Sequence, residues 1–457
     1  MRAGLAVQVC SSSVLVGCFL LPAPGFAQTT AARDPGVRPG PAAAGGPLPF
    51  LSRTYVSYFN AGRADFVEVE TVEDGLGPTM NLDSCGGCHS QPAIGGTSPA
   101  LNPPVSVNPQ VVFAGKMGNA VPSFLSSDGP IREARFVRNA NGTPDGGVHS
   151  LFVVPGCGLR QEDFATAVAN RNVIFRIPTP LFGAGLIEQI PDSAILANLN
   201  ADGTRKRSFG IGGRANRVRV GTITGVANTN GNDGTISRFG WKAQNQSLLL
   251  FSGEAYNVEM GISNELFSSE RNQTAACQRA PIPNDATNPD AGSPLEAFSA
   301  VEKFTFFMRF LAPPTPSTDT PGGAQSIANG RTLFSSSGCA LCHTPTLNTG
   351  NAAVPALRNK AANLYSDLAV HNMGPGLADG VTQGQAGPQE FRTAPLWGLG
   401  QRIFFLHDGR TKDLLEAIQA HASGSSSSAS EANSVIARFN QLSNTQKQDM
   451  LNFLRSL

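Results

Sequence analysis

The chain carries the pattern C-x-x-C-H twice, as Cys85–Gly–Gly–Cys88–His89 and as Cys339–Ala–Leu–Cys342–His343. Two cysteines three apart share one side of a helical turn. Both sulfurs can therefore reach the vinyl groups of a single porphyrin, and the next residue can place an imidazole nitrogen on its iron. This is the form of a c-type haem attachment site. C-x-x-C also serves zinc sites and redox dithiols. Two copies in a chain with eight cysteines and six histidines favour haem. The expectation is two covalently bound haem c groups. Cys85, Cys88, Cys339 and Cys342 would hold the porphyrins, and His89 and His343 would ligate the irons.

Residues 1–27 read as a secretory signal peptide: Arg2 is basic, Val14 to Leu21 is a short apolar core, and Ala27 closes a small-residue cleavage context. An uncleaved anchor is the alternative. Export to the periplasm or beyond suits covalent haem attachment. It also accounts for the cysteines. Cys10 and Cys18 would leave with the signal, four serve haem, and Cys157 and Cys277 would pair as a disulfide in an oxidising compartment. Two buried thiols are the other reading. The formal net charge of +1 comes with no basic block, which argues against nucleic acid as a partner. No second apolar run has membrane length. Charged residues are only 15% of the chain, while glycines number 50 and prolines 33, a loop-rich composition.

Residues 28–49 are rich in Pro, Ala and Gly and read as a flexible leader. A weak internal repeat then appears. Gly62–Arg63–Ala–Asp–Phe66 precedes the first motif, and Gly330–Arg331–Thr–Leu–Phe334 precedes the second. The expected fold is mainly α with irregular loops and some short β, in two cytochrome-c-like haem domains at 50–312 and 325–457. Pro313–Pro314–Thr–Pro316 opens a stiff linker at 313–324. The last helix of the first unit is predicted over Leu295 to Leu311, from the spacing of Phe298, Val301, Phe304, Met308 and Leu311. That of the second follows a capping box at Ser443–Asn–Thr–Gln446. A large insertion, about 102–290, holds predicted short strands at 135–137, 151–154 and 173–177. It is either a substrate or partner surface or a wrap that shields the first haem.

Further motifs carry a resemblance: Phe182–Gly–Ala–Gly–Leu–Ile–Glu188, Arg238–Phe–Gly–Trp–Lys242, His371–Asn–Met–Gly–Pro–Gly–Leu–Ala–Asp379, Phe391–Arg–Thr–Ala–Pro–Leu–Trp–Gly–Leu–Gly400 and Phe405–Leu–His–Asp–Gly–Arg410. Together they resemble the bacterial di-haem oxidoreductases described as peroxidases or thiol oxidoreductases, relatives of di-haem cytochrome c peroxidases. The resemblance implies one six-coordinate haem for electron transfer and one haem with an open position where peroxide reacts. It implies a sixth ligand for the C-terminal haem fourteen residues after the His of F-x-H-D-G. That His is His407 here, and the ligand position is His421, where peroxidases of the group carry Met. A His/His haem has a lower potential than a His/Met one. A surface histidine is the bland reading of His421, and Met373 is the other candidate ligand. His407 would sit beside the site, oriented by Asp408, with Arg410 near a propionate.

The resemblance also places a Glu over the open iron as acid–base catalyst, and Glu188 is the candidate; a salt-bridged surface Glu is its alternative. His149 is a second distal candidate. Trp241 or Trp397 would relay electrons between the haems, or pack the core. Gln401 and Arg402 stand where such peroxidases build a calcium site, so a matching calcium site is not expected. The implied function is exported di-haem oxidoreduction. Electrons would come from a small redox protein or quinol-linked donor, enter at the C-terminal haem and reduce a small oxidant at the N-terminal one. The alternatives are a non-catalytic electron-transfer cytochrome and an oxygenase acting on an organic substrate. Every motif cysteine is needed for haem, so nothing supports thiol oxidoreduction.

Overall fold

Two pairs of helices, each built on a glycine, organise the protein. The computed structural model describes residues 31–98, 107–218, 221–223, 226–228, 236–269, 272, 274–277 and 279–457. The predicted signal peptide lies outside them. Helix α1 (Arg53–Val67) starts at Ser52, whose hydroxyl accepts from the Tyr55 amide. It crosses α3 (Ala300–Phe310), whose start is a capping box of Ser299 and Glu302. The crossing is close because Gly62 has no side chain: a Cβ there would lie 2.0 Å from the Lys303 carbonyl oxygen. Helix α4 (Ala324–Ser337) crosses α5 (Asn444–Ser456) in the same way, and a Cβ on Gly330 would lie 2.0 Å from the Asp449 carbonyl oxygen. The α5 capping box of Ser443 and Gln446 forms as its sequence predicts. The predicted 295–311 helix breaks before Ser299, which caps a new helix, and Pro294–Ala297 forms a separate turn.

The weak sequence repeat is thus a repeat of contacts. Phe66 packs on Phe307 with ring centres 4.8 Å apart, and Phe334 on Phe453 at 5.5 Å. Each phenylalanine also reaches its motif histidine: Phe66 lies 6.0 Å from His89 and Phe334 lies 6.2 Å from His343. The repeat goes further than the two helix pairs. Pro180–Leu–Phe–Gly–Ala–Gly185 and Pro395–Leu–Trp–Gly–Leu–Gly400 share P-L-[F/W]-G-x-G. A Cβ on Gly185 would strike the Arg309 carbonyl of α3, and one on Gly400 the Arg455 carbonyl of α5. The two copies also pack on each other. Trp397 covers Gly183, and Phe182 approaches Gly398.

Strands are short. β1 (Glu133–Phe136) lies between β2 (Val148–His149) and β3 (Val173–Arg176), antiparallel to both, with Ala134 opposite His149 and Phe175. This sheet and helix α2 (Leu248–Met260) come from the long stretch between the first motif and α3. Cys157 and Cys277 in that stretch are disulfide-bonded, with Cα atoms 5.6 Å apart.

The stretch expected as a flexible leader is tied down within the described residues. Asp34 pairs with Arg455, whose side chain is 1% exposed. Leu48 donates to Phe310 O, and Arg38 to Gly400 O. A Pro/Ala/Gly composition has no periodicity to announce this; the anchoring comes from a few polar groups and from backbone bonds. Among the described residues, no helix is long and apolar enough to cross a membrane.

Candidate functional site

Each C-x-x-C-H motif opens onto its own cavity. The first cavity, about 1170 Å³, is lined by Cys85, Cys88 and His89, by Phe66, and by α2 and β1 residues. The second, about 1300 Å³, is lined by Cys339, Cys342 and His343, by Phe334, and by His407 and His421. Among the described residues, Trp241 is the side chain that lines both.

The motif histidines are prepared alike. His89 Nδ1 lies 3.0 Å from the Gly96 carbonyl, and His343 Nδ1 lies 2.9 Å from the Tyr365 carbonyl. With Nδ1–H donating, Nε2 keeps its lone pair for a metal. Burial pushes both imidazoles down to about 4, so they are neutral in ordinary buffers, as a ligand must be. The cysteines point the same way. Burial drives the thiols of Cys85 and Cys339 up to about 12, the opposite of an activated dithiol. The zinc alternative fits poorly. Among the described residues, the group close enough to hold an ion is Cys342, Asp367 and His371, which omits Cys339 and His343. Both nitrogens of His371 already meet carboxylates: Nδ1 is 2.7 Å from Glu431, and Nε2 is 2.9 Å from Asp367. Large apolar cavities, paired thiols at their edge and a neutral imidazole with a free Nε2 are what a thioether-linked haem requires.

The cavities differ in what stands opposite. In the second, the His421 ring centre is 6.5 Å from that of His343. Two metal–nitrogen bonds of about 2 Å, plus about 1.1 Å from each nitrogen to its ring centre, place two axial imidazoles roughly 6.3 Å apart. His421 Nδ1 is occupied by the Ala417 carbonyl at 2.8 Å, which again leaves Nε2 free. Burial lowers its proton affinity as well. Met373 lines the same cavity but packs with Trp241, Leu377 and Phe391. His407 stacks on Phe391 at 4.4 Å, and burial takes it down to about 4. Asp408, expected to orient it, instead pairs with Arg410 at 2.7 Å. Arg410 does not line the cavity.

The first cavity offers no second histidine among its lining residues; Met260 and Met308 are its thioethers. It holds acids instead. Glu133, Glu254 and Glu259 line it with Arg135 and Arg176. Burial and the neighbouring Glu133 charge push Glu259 well above a normal carboxyl and favour its protonated form. Burial is the largest influence on Glu133 and would raise it too, but Arg135, the hydrogen bond with Glu259 and the Arg176 charge together outweigh it and hold that partner below a normal carboxyl. The two carboxyls are hydrogen-bonded, and Asn81 donates to Glu259 at 2.7 Å.

Two of the predicted distal residues lie elsewhere. Glu188 lines neither cavity. Both its oxygens are taken: Arg309 bonds it at 2.7 Å, and the Leu248 amide at the start of α2 donates to it at 2.9 Å. It fastens α3 to the N-terminus of α2, as an acid at a helix start does. His149 stacks on Phe136 at 3.7 Å and bonds Asp145 at 2.9 Å, also away from both cavities. The acids that do enter the first cavity had no motif to mark them. Helical spacing of Phe251, Ala255 and Glu259 on α2 was the one available signal.

The remaining motif residues build the walls. Asp379 bonds Arg176 at 2.7 Å and Lys242 at 3.0 Å in a buried triad. Lys242 Nζ also donates to the Gly387 and Glu390 carbonyls. Trp241 Nε1 donates to Ile177 O at 2.9 Å, which fixes its ring between the cavities.

No curated protein matches the chain. Three solved structures are similar. Hydrazine synthase of Kuenenia stuttgartiensis shares 18% identity over 36% of this chain and 56% of that one, with a TM-score of 0.23. The diheme peroxidase BthA of Burkholderia thailandensis E264 shares 14% over 48% of this chain and 65% of that one, at 0.29. A variant of BthA shares 13% over 68% and 90%, at 0.28. The chain therefore spans less than two thirds of the length of the first two. The family described as "Di-haem oxidoreductase, putative peroxidase" matches residues 161–457, which take in the second motif, Trp241 and His421. That match covers well over half of the sequence, and the chain belongs to the di-haem oxidoreductase family.

Proposed function

We propose that this protein is an exported di-haem c-type oxidoreductase that reduces peroxide or a similar small oxidant. Its two cytochrome-c-like halves divide the labour. Cys339 and Cys342 would hold the C-terminal haem, with His343 and His421 as its protein ligands. Cys85 and Cys88 hold the N-terminal haem, with His89 as its protein ligand. A small redox protein or quinol-linked donor would supply electrons at the first of these sites, and Trp241, which lines both cavities, would lie between it and the second. The asymmetry of the cavities carries this reading: His421 faces His343 at bis-imidazole separation, while the His89 cavity holds acids and no second imidazole.

Reduction of peroxide to two waters consumes two electrons and two protons. Bound haem iron supplies the electron chemistry. The chain's own residues supply the protons and the charge. Glu259, held towards its protonated form, would give one proton, and the Glu133 carboxylate beside it would relay the second from solvent once Glu259 has ionised. Arg135 and Arg176, paired with Glu133 and Asp379, bring guanidinium donors to the same cavity wall. This replaces the role first assigned to Glu188.

The test is EPR of the oxidised protein with and without peroxide. The proposal expects one low-spin bis-imidazole haem that persists and one high-spin haem that responds. Two low-spin haems, both indifferent to peroxide, would make the protein an electron carrier only.

A further inference from the structure

A third, small cavity lies where the two P-L-[F/W]-G-x-G copies meet. Pro180 and Ile187 line it from the first copy, and Pro395 and Arg402 from the second. Trp241 and Arg392 are shared with the C-terminal haem cavity, and Trp241, Thr179 and Leu181 with the N-terminal one. It is the junction between the two haem sites.

Two guanidinium groups face this junction without a counter-ion. Arg392 is 9% exposed and Arg402 6%. Arg392 Nε donates to the Gly240 carbonyl at 2.9 Å. Arg402 Nε and Nη2 are buried and bonded to nothing. No carboxylate offsets either side chain; burial weakens both charges, and Arg402 repels Arg392. Four other buried arginines, Arg135, Arg176, Arg238 and Arg455, face Glu133, Asp379, Asp192 and Asp34 in turn, whereas Arg38, away from this junction, also lacks a carboxylate. An unpaired buried charge costs several kcal/mol, and two side by side cost more. The position two after the shared motif is Ile187 in the first copy and Arg402 in the second, so the charge is particular to one side.

We propose that Arg392 and Arg402 form a clamp for carboxylate anions between the two haems, and that its occupants are haem propionates. Arg402 has two unused donors in a planar fork, which suits a carboxylate. The same fixed charges oppose a divalent cation at this junction. The inference rests on the presence of two attached haems, which intact mass establishes independently.

The experiment is a spectroelectrochemical titration of both haems in the haem-loaded wild type and in Arg402→Gln, Arg402→Lys and Arg392→Gln. Loss of a cation beside a propionate favours the ferric state. The expected result is a tenfold or larger shift of at least one haem's equilibrium in the Gln variants, about 59 mV for one electron. Arg402→Lys should restore most of it. If Arg402→Gln does not fold, Arg392→Gln carries the test. Unchanged potentials in the folded Gln variants with two haems would overturn the clamp. A wild-type potential that follows exchange of chloride for phosphate would overturn the propionate assignment in favour of a free anion. A mass short of two haems would instead overturn the reading beneath it.

Discussion

Three glutamates show how little residue type decides without surroundings. Glu188, Glu259 and Glu70 are all partly or fully buried, yet one is a strut, one a proton store and one a titrating group. Glu259→Gln removes the proton donor from the His89 cavity. Peroxide turnover should fall by about 10²-fold, the usual contribution of a positioned acid, with haem content and spectra retained. Glu188→Gln should leave turnover of the folded protein unchanged and lower stability by about 1–3 kcal/mol, through the lost bonds to Arg309 and Leu248. Equal losses of turnover in both would reject this assignment.

Glu70 behaves differently again. Burial pushes its carboxyl up to about 7, although the Tyr256 hydroxyl donates to it at 2.7 Å. A folded value above the unfolded 4.5 means that the native state holds the extra proton between the two values. Stability therefore falls as pH rises from about 4.5 to about 7. Glu70→Gln should be more stable than wild type at pH 8, by about 1–2 kcal/mol after allowance for solvent screening. The gap should close near pH 4.5. Urea melts at both pH values check this, and a gap that is constant with pH would refute it.

At the scale of elements, glycines and one strap hold the helices together. Gly330→Ala places a methyl against the Asp449 carbonyl, and the helices must separate. Better helix propensity returns about 1 kcal/mol, while overpacking against backbone costs more than that. A net loss of about 2 kcal/mol or more is expected in thermal or chemical melts. Gly115 is the control, since a Cβ there meets nothing within 4 Å, and Gly115→Ala should be neutral or stabilising. The strap at residues 34–48 makes a second test. Asp34→Asn leaves Arg455 buried without its anion, for which about 3–5 kcal/mol is the usual loss. A melt within 1 kcal/mol of wild type would show that the strap only decorates the surface.

For the whole molecule, the decisive geometry is the junction of the two repeats. Trp397 on Gly183, Phe182 near Gly398 and Trp241 between the cavities bring two separately built cavities side by side. Trp241→Phe should slow electron transfer between the haems by about tenfold, a barrier change near 1.4 kcal/mol. Stopped-flow reduction followed at both haems measures it. An unchanged rate with intact haems would remove Trp241 from the path.

Much of this was local enough to be legible in the chain. Two thiols and an imidazole within five residues form a local cluster whatever the fold, because one helical turn already brings them together, and each cluster lines its own cavity. The Ser443 capping box and the G-R-x-x-F repeat are local in the same sense; the family resemblance offered His421 by an offset from His407, and that residue lines the second cavity. The opposing walls were not legible. Glu259 enters a cavity whose histidine lies 170 residues earlier, while Glu188, in a more suggestive motif, is turned away by Arg309. The anchoring of residues 34–48 and the missing counter-ions of Arg392 and Arg402 depend on partners equally distant in sequence. Spacing along a turn settles which atoms can share one porphyrin edge; only the packing of distant segments settles which charges end up beside it, because burial and pairing are properties of the assembled neighbourhood.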